Sequence, residues 1–138
     1  MQLKPKKGYN KTMKTILVDA ANTFTVNGEI HIELHQLLEM YSNKKIIVTN
    51  ANDEQLIAFG LINLPYELFT LKHNPDKVNP EYFILLLEKF NLKNDEVVYF
   101  EHNLEAVKSA VSLGIHTYHY DVEKRDLEAL RKFLDSSL

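Results

Sequence analysis

Three short apolar runs, each giving way to polar residues, constrain this chain more than any other feature. Thr15-Ile-Leu-Val-Asp19, Lys45-Ile-Ile-Val-Thr49 and Glu96-Val-Val-Tyr-Phe100 are apolar or β-branched at almost every position. A strand with one wet face alternates polar and apolar residues, whereas a strand covered on both faces reads as an unbroken apolar run. The three runs therefore predict central strands of a sheet covered on both sides. Between them the period changes to that of a helix. From His31 to Tyr41, residues Ile32, Leu34, Leu37, Leu38 and Tyr41 share one face. A second helix is expected from Asp53 to Leu61, capped by Asn52 and with Gly60 near its end. Pro80 opens a third through Phe90, in the position proline favours. Asn103 caps a fourth that stops at Gly114, and a closing helix is expected from Asp121 or just after it. Its apolar stripe is Leu127, Leu130, Phe133 and Leu134. Tyr66 to Leu71 and His116 to Tyr120 read as two further strands, and Tyr66, Phe69, Tyr82, Phe83 and Phe90 read as core. Strand and helix alternate throughout, which predicts βαβ units: a three-layer α/β sandwich around a mainly parallel central sheet.

The chain has 138 residues, a length that suits a single domain, expected here over residues 14–138. Residues 1–13 form a basic extension carrying Lys4, Lys6, Lys7 and Lys11, which reads as a solvated terminal segment. With no cysteine, disulfide frameworks and thiolate metal sites are excluded, and a cytoplasmic location fits. No apolar run approaches the roughly 18 residues a membrane-spanning helix needs. A net charge of −3 argues against general affinity for nucleic acid.

Open parallel sheets bind ligands beyond the carboxyl ends of their strands, where helix N-termini converge. The residues to inspect are then Asp19 to Thr23, Thr49 with Asn50, and Glu101 to Asn103. Each set on its own reads as a turn or a cap. Three polar strand ends along one edge read as a site.

In this order and spacing the segments resemble the motifs of the haloacid dehalogenase (HAD) superfamily. Ile16-Leu-Val-Asp19-Ala-Ala-Asn-Thr23 resembles the first motif, a hydrophobic strand followed by D-x-D-x-T. Ile46-Ile-Val-Thr49-Asn50 is similar to the second. Asp76-Lys77-Val-Asn-Pro80-Glu-Tyr-Phe83 resembles the lysine-bearing third, and Val97 to Ala110 with Gly114-Ile-His-Thr117 the fourth and its sequel. The resemblance implies a HAD-like, Rossmannoid fold with a squiggle and flap between residues 20 and 30. It also implies a phosphorylated substrate and a Mg²⁺ cofactor. Asp19 would be the nucleophile that becomes an aspartyl phosphate. Thr49, Asn50 and Lys77 would contact the phosphoryl group, and Asp19, the backbone carbonyl of Ala21 and Glu101 would hold the metal. Residues 20–48 and 50–76 are filled by the elements already named, so no cap domain is expected and the site should be a shallow, open cleft.

Three positions depart from the motifs. Ala21 stands where the leaving-group acid is usual, so the general acid–base contribution of about 10² to 10⁴ in rate is missing. His102 takes the place of a fourth-motif carboxylate, and Ala106 that of a further acidic or asparagine position. Two functions remain open from the sequence. One is a weak or specialised Mg²⁺-dependent phosphohydrolase, favoured by Asp19, Thr49 and Lys77. The other is an inactive binding or regulatory module, favoured by the three departures.

Overall fold

The structure, a computed structural model, describes residues 13–138; the basic extension expected before residue 14 lies outside them apart from Met13. The apolar runs form β1 (Thr15–Asp19), β4 (Lys45–Thr49) and β6 (Val97–Glu101), and every residue of all three is buried. β5 (Glu67–Thr70) and β7 (His116–His119) flank them. The order is β5-β4-β1-β6-β7, parallel at every pairing. A small antiparallel hairpin, β2 (Thr25–Val26) and β3 (Glu29–Ile30), is the flap expected between residues 20 and 30.

Helices cover both faces of this sheet, which is why its centre is apolar throughout. Ile16 and Val18 of β1 point to one side, where they meet Leu34 and Leu38 of α1 (Ile32–Leu38) and Leu130 and Leu134 of α5 (Leu127–Ser137). Leu17, between them, points to the other side. There it meets Phe83 and Leu86 of α3 (Glu81–Phe90) and Ala110 of α4 (Leu104–Val111). Full burial of each leucine or phenylalanine contributes roughly 1.5–3 kcal/mol, so both helical layers are held by transfer of apolar surface. Of the aromatic set, Phe69, Tyr82 and Phe83 are buried on the α3 side with rings 5.1–5.3 Å apart, and Phe90 packs against them. Tyr66 lies instead on the other face, beside Phe24.

α2 (Asp53–Ala58) carries the expected cap in full: Asn52 accepts from Gln55 N–H, and Gln55 returns the bond to Asn52 N–H. It buries none of its own residues and stands over the carboxyl end of the sheet. Gly60, just after it, takes φ +70°, and a Cβ there would lie 2.0 Å from the carbonyl oxygen of Gly28 in the flap turn. Only glycine lets the flap and α2 approach this closely. The closing helix begins at Leu127, later than the sequence suggests. The Asp121 carboxylate accepts from the N–H groups of Glu123 and Lys124, which makes a turn, and Arg125 adopts φ +47°, which no helix continues through. Asp126 is the working cap, accepting from Ala129 N–H.

Residues 20–44 hold the flap and α1, and residues 50–76 hold α2 and β5, with no inserted subdomain in either interval. This is a capless, Rossmannoid α/β arrangement. No helix among the described residues is long and apolar enough to cross a membrane.

Candidate functional site

Because β1, β4 and β6 run parallel, the residues that end them arrive at one edge of the sheet. Asp19 pairs in register with Val48, one residue before Thr49, and Val18 pairs with Phe100, one before Glu101. Lys77 comes from the turn before α3, and its backbone N–H donates to Asn50 Oδ1 at 2.7 Å. Asn50 thereby positions the segment that delivers the lysine. The Lys77 ammonium lies 2.9 Å from Asp19 Oδ1 and 2.7 Å from Glu101 Oε1. All three side chains are buried, with Asp19 only 1% exposed. The four expected residues Asp19, Thr49, Lys77 and Glu101 therefore converge, although 82 positions separate the first from the last.

Above them opens a cleft of about 210 Å³, bordered by Asp19, Ala21, Thr49, Lys77, Glu101 and His102 among others. The nucleophile candidate is not exposed on its floor as the absence of a cap suggests. Asp19 Oδ2 accepts from the Thr23 hydroxyl at 2.7 Å and from His102 N–H at 3.2 Å, and it also touches His102 Nδ1. The His102 ring thus covers the carboxylate in place of a lid. Glu101 is held as tightly: Oε1 receives Lys77 and the Tyr99 hydroxyl, and Oε2 receives Asn103 N–H at 3.0 Å.

Charges buried this deeply persist only when they satisfy one another. Burial pushes the Asp19 carboxyl up, but Lys77 and the hydrogen-bonded His102 outweigh it and hold the group well below the usual carboxylate range. Burial likewise opposes charge on Lys77, yet Asp19 and Glu101 keep its ammonium above the ordinary lysine range. Glu101 moves the other way, because burial and then the neighbouring Asp19 charge raise it more than Lys77 lowers it. One ammonium shared by two carboxylates favours the ionised form of the one that also has His102. The hydrogen bond to Asp19 raises the His102 imidazole against the burial of its ring.

Thr49 sits at the end of β4 with its N–H 3.0 Å from the Tyr82 hydroxyl and its own Oγ1 accepting from Ala51 N–H at 3.2 Å. Thr49 also borders the cleft. Ala21 and Ala106 line the cleft as methyl groups and supply no acid.

Two features escape a reading of residue types in order. Tyr99 looks like apolar strand filling, yet its hydroxyl bonds Glu101. His73 has no spacing to another histidine that suggests a role, yet it reaches the cleft rim. There its Nδ1 lies 2.8 Å from Asp76 Oδ1 and its Nε2 lies 2.6 Å from Gln55 Oε1.

No protein-family model and no curated protein matches this sequence. Solved structures do match the fold. A HAD-superfamily hydrolase of subfamily IA, variant 1, from Geobacter sulfurreducens aligns with TM-score 0.67 at 11% identity, over 87% of this chain and 97% of the other. A HAD-family enzyme from Bacteroides thetaiotaomicron, solved as a mutant with magnesium and inorganic phosphate, aligns with TM-score 0.59 at 12% identity, over 80% and 95%. D,D-heptose 1,7-bisphosphate phosphatase from Burkholderia thailandensis aligns with TM-score 0.51 at 12% identity, over 74% of each chain. The chain has the HAD-like fold.

Proposed function

We propose that residues 14–138 form one HAD-like domain that hydrolyses a phosphorylated substrate through Asp19, slowly or on a specialised substrate. The observation that carries this reading is the Lys77 ammonium lying between the Asp19 and Glu101 carboxylates beneath a cleft. In that geometry Asp19 stays ionised while part of its charge is offset, as a carboxylate nucleophile beside an anionic phosphate requires. An Asp19 oxygen attacks phosphorus, the leaving-group oxygen departs with the bonding electrons, and water then hydrolyses the aspartyl phosphate. Lys77, Thr49 and Asn50 are the contacts we assign to the phosphoryl oxygens. Because Ala21 carries no acid, a leaving group stable as an anion, such as a phenolate or a carboxylate, is preferred over an alkoxide.

Asp19, Glu101 and His102 each offer one donor atom within 4.8 Å of the others, which fits a single divalent cation. Mg²⁺ is the ion the motifs suggest, held by Asp19 and Glu101 with the Ala21 carbonyl, and it would neutralise charge on the transferring phosphoryl group. The neighbour from Bacteroides, solved with magnesium and inorganic phosphate, supports a divalent cation, though not its identity, at the level of fold. A cysteine-free chain suits the cytoplasm, and we expect neither a membrane nor nucleic acid to be its partner.

One observation favours the second reading, a binding or regulatory module without turnover. Both oxygens of Asp19 already have donors from the protein itself: Lys77 on one, Thr23 and His102 on the other. A screen of aryl, acyl and alkyl phosphates with divalent ions, beside Asp19→Asn, separates the two. Slow aryl or acyl phosphate hydrolysis that disappears in Asp19→Asn is the expected outcome. Activity equal in both proteins, or none in either, would leave the binding module as the better account.

A further inference from the structure

We infer that His102 turns the cation site at Asp19 and Glu101 away from Mg²⁺ and toward a first-row transition ion such as Mn²⁺, Co²⁺ or Zn²⁺. The inference rests on the reading of Asp19 and Glu101 as cation-holding carboxylates, and it concerns which ion they accept. Asp19, Glu101 and His102 each offer one donor atom, all within 4.8 Å of one another, so one of the three donors is a histidine nitrogen. His102 Nδ1 touches Asp19 Oδ2 and lies 3.5 Å from Glu101 Oε2. An ion held by both carboxylates on that side would be within reach of the ring nitrogen.

The backbone of His102 is held on both sides: its N–H donates to Asp19 Oδ2 at 3.2 Å, and its carbonyl oxygen lies 2.9 Å from His119 Nε2 on β7. The next residue, Asn103, caps α4 by accepting from Glu105 and Ala106 N–H, while its own N–H holds Glu101 Oε2. The start of α4 thus holds the Glu101 oxygen donor and the backbone that carries His102. Ala106, on the cleft wall, is a methyl group and offers no further oxygen.

Mg²⁺ demands near-octahedral oxygen coordination and gives up water reluctantly. Exchanging an anionic oxygen for a neutral imidazole nitrogen therefore costs Mg²⁺ more than it costs an ion with affinity for nitrogen. Imidazole suits Zn²⁺, Fe²⁺, Ni²⁺ and Cu²⁺, and affinity at mixed nitrogen and oxygen sites rises from Mn²⁺ through Co²⁺ toward Cu²⁺.

The test is metal binding by the full chain after chelation and dialysis, read by calorimetry, by the thermal midpoint and by the visible absorption of bound Co²⁺. We expect one equivalent of Co²⁺ or Zn²⁺ to bind and raise the midpoint, with no heat from Mg²⁺ at concentrations where Zn²⁺ saturates. His102→Asn should weaken Co²⁺ and Zn²⁺ by at least about 10-fold, since even an outer-shell partner is worth that much, a change read against that variant's own apoprotein midpoint. His102→Asp should bring Mg²⁺ binding up; should that variant fail to fold, His102→Asn with its Co²⁺ spectrum still decides. Mg²⁺ binding as tight as Zn²⁺, Zn²⁺ binding unchanged in His102→Asn, or no binding of any ion would overturn the inference. Co²⁺ binding without Asp19-dependent turnover would leave it standing while removing the hydrolase. Turnover in chelator with no bound ion would do the reverse.

Discussion

The floor and the rim of the cleft are built on opposite terms. On the floor, Asp19, Lys77 and Glu101 are at most 7% exposed, and each charge is held by at least two partners. At the rim, His73, Asp76 and Gln55 also form a connected polar network, but their side chains are open to water; those of His73 and Asp76 are about 40% exposed. The same kinds of hydrogen bond therefore carry different weight. A buried charge that loses its partner keeps its desolvation cost, whereas an exposed one recovers it from solvent. The floor should be rigid and intolerant of change, and the rim replaceable.

Lys77→Met tests the floor most severely. It leaves the Asn50 contact intact, since that bond uses the Lys77 backbone, and removes only the ammonium between two buried carboxylates. Equilibrium unfolding in urea should show a loss of about 3–5 kcal/mol, the usual cost of stripping one partner from a buried ion pair. A loss below about 1 kcal/mol would mean that water reaches the floor, and the contrast with the rim would collapse.

Ala21→Asp asks whether that rigid floor is catalytically sound. Ala21 borders the cleft beside Asp19, so a carboxyl there can reach a leaving-group oxygen. If geometry is otherwise intact, alkyl phosphate turnover should rise by up to about 10²-fold, with a smaller gain for aryl phosphates, whose leaving groups need no proton. Equal gains on both substrates would show that the new carboxyl acts by some route other than protonation.

The contrast between floor and rim also divides what was legible in the sequence. β1, β4 and β6 could be read because burial on both faces leaves an apolar run, and a parallel sheet then sends Asp19, Thr49 and Glu101 to one edge. Lys77 ends no strand; only its spacing to Pro80, through the likeness to HAD motifs, brought it to the same place. Beyond that, residue type misleads. Tyr99 is apolar in every pattern except for the hydroxyl that reaches Glu101, and His102, standing where a fourth-motif carboxylate is usual, lies against Asp19 itself. The start of α5 was misplaced because Asp121 can cap either a helix or a turn, and the left-handed Arg125 that decides between them leaves no periodic trace. His73 was invisible for the same reason. Lys72 and His73 both take positive φ, so the loop that aims the ring at Asp76 and Gln55 follows no period at all.

His73→Ala should have the smallest effect, and it bears directly on the rim. The substitution removes both ring contacts, to Asp76 Oδ1 at 2.8 Å and Gln55 Oε1 at 2.6 Å. Gln55 keeps a second bond, because its Oε1 also accepts from Asn52 N–H, so the cap of α2 survives the change. Asp76 is left with water, which its exposure already allows. A stability loss below about 1 kcal/mol in urea is therefore expected, as for other exposed polar pairs. Alanine also meets the positive φ of residue 73 less readily than histidine does, and that contributes part of whatever loss appears. His73→Asn separates the two terms, since asparagine tolerates the left-handed region while lacking the ring. If His73→Asn also loses several kcal/mol, the ring contacts carry real weight. The rim would then belong with the floor as a structural network, and the cleft would have no replaceable wall.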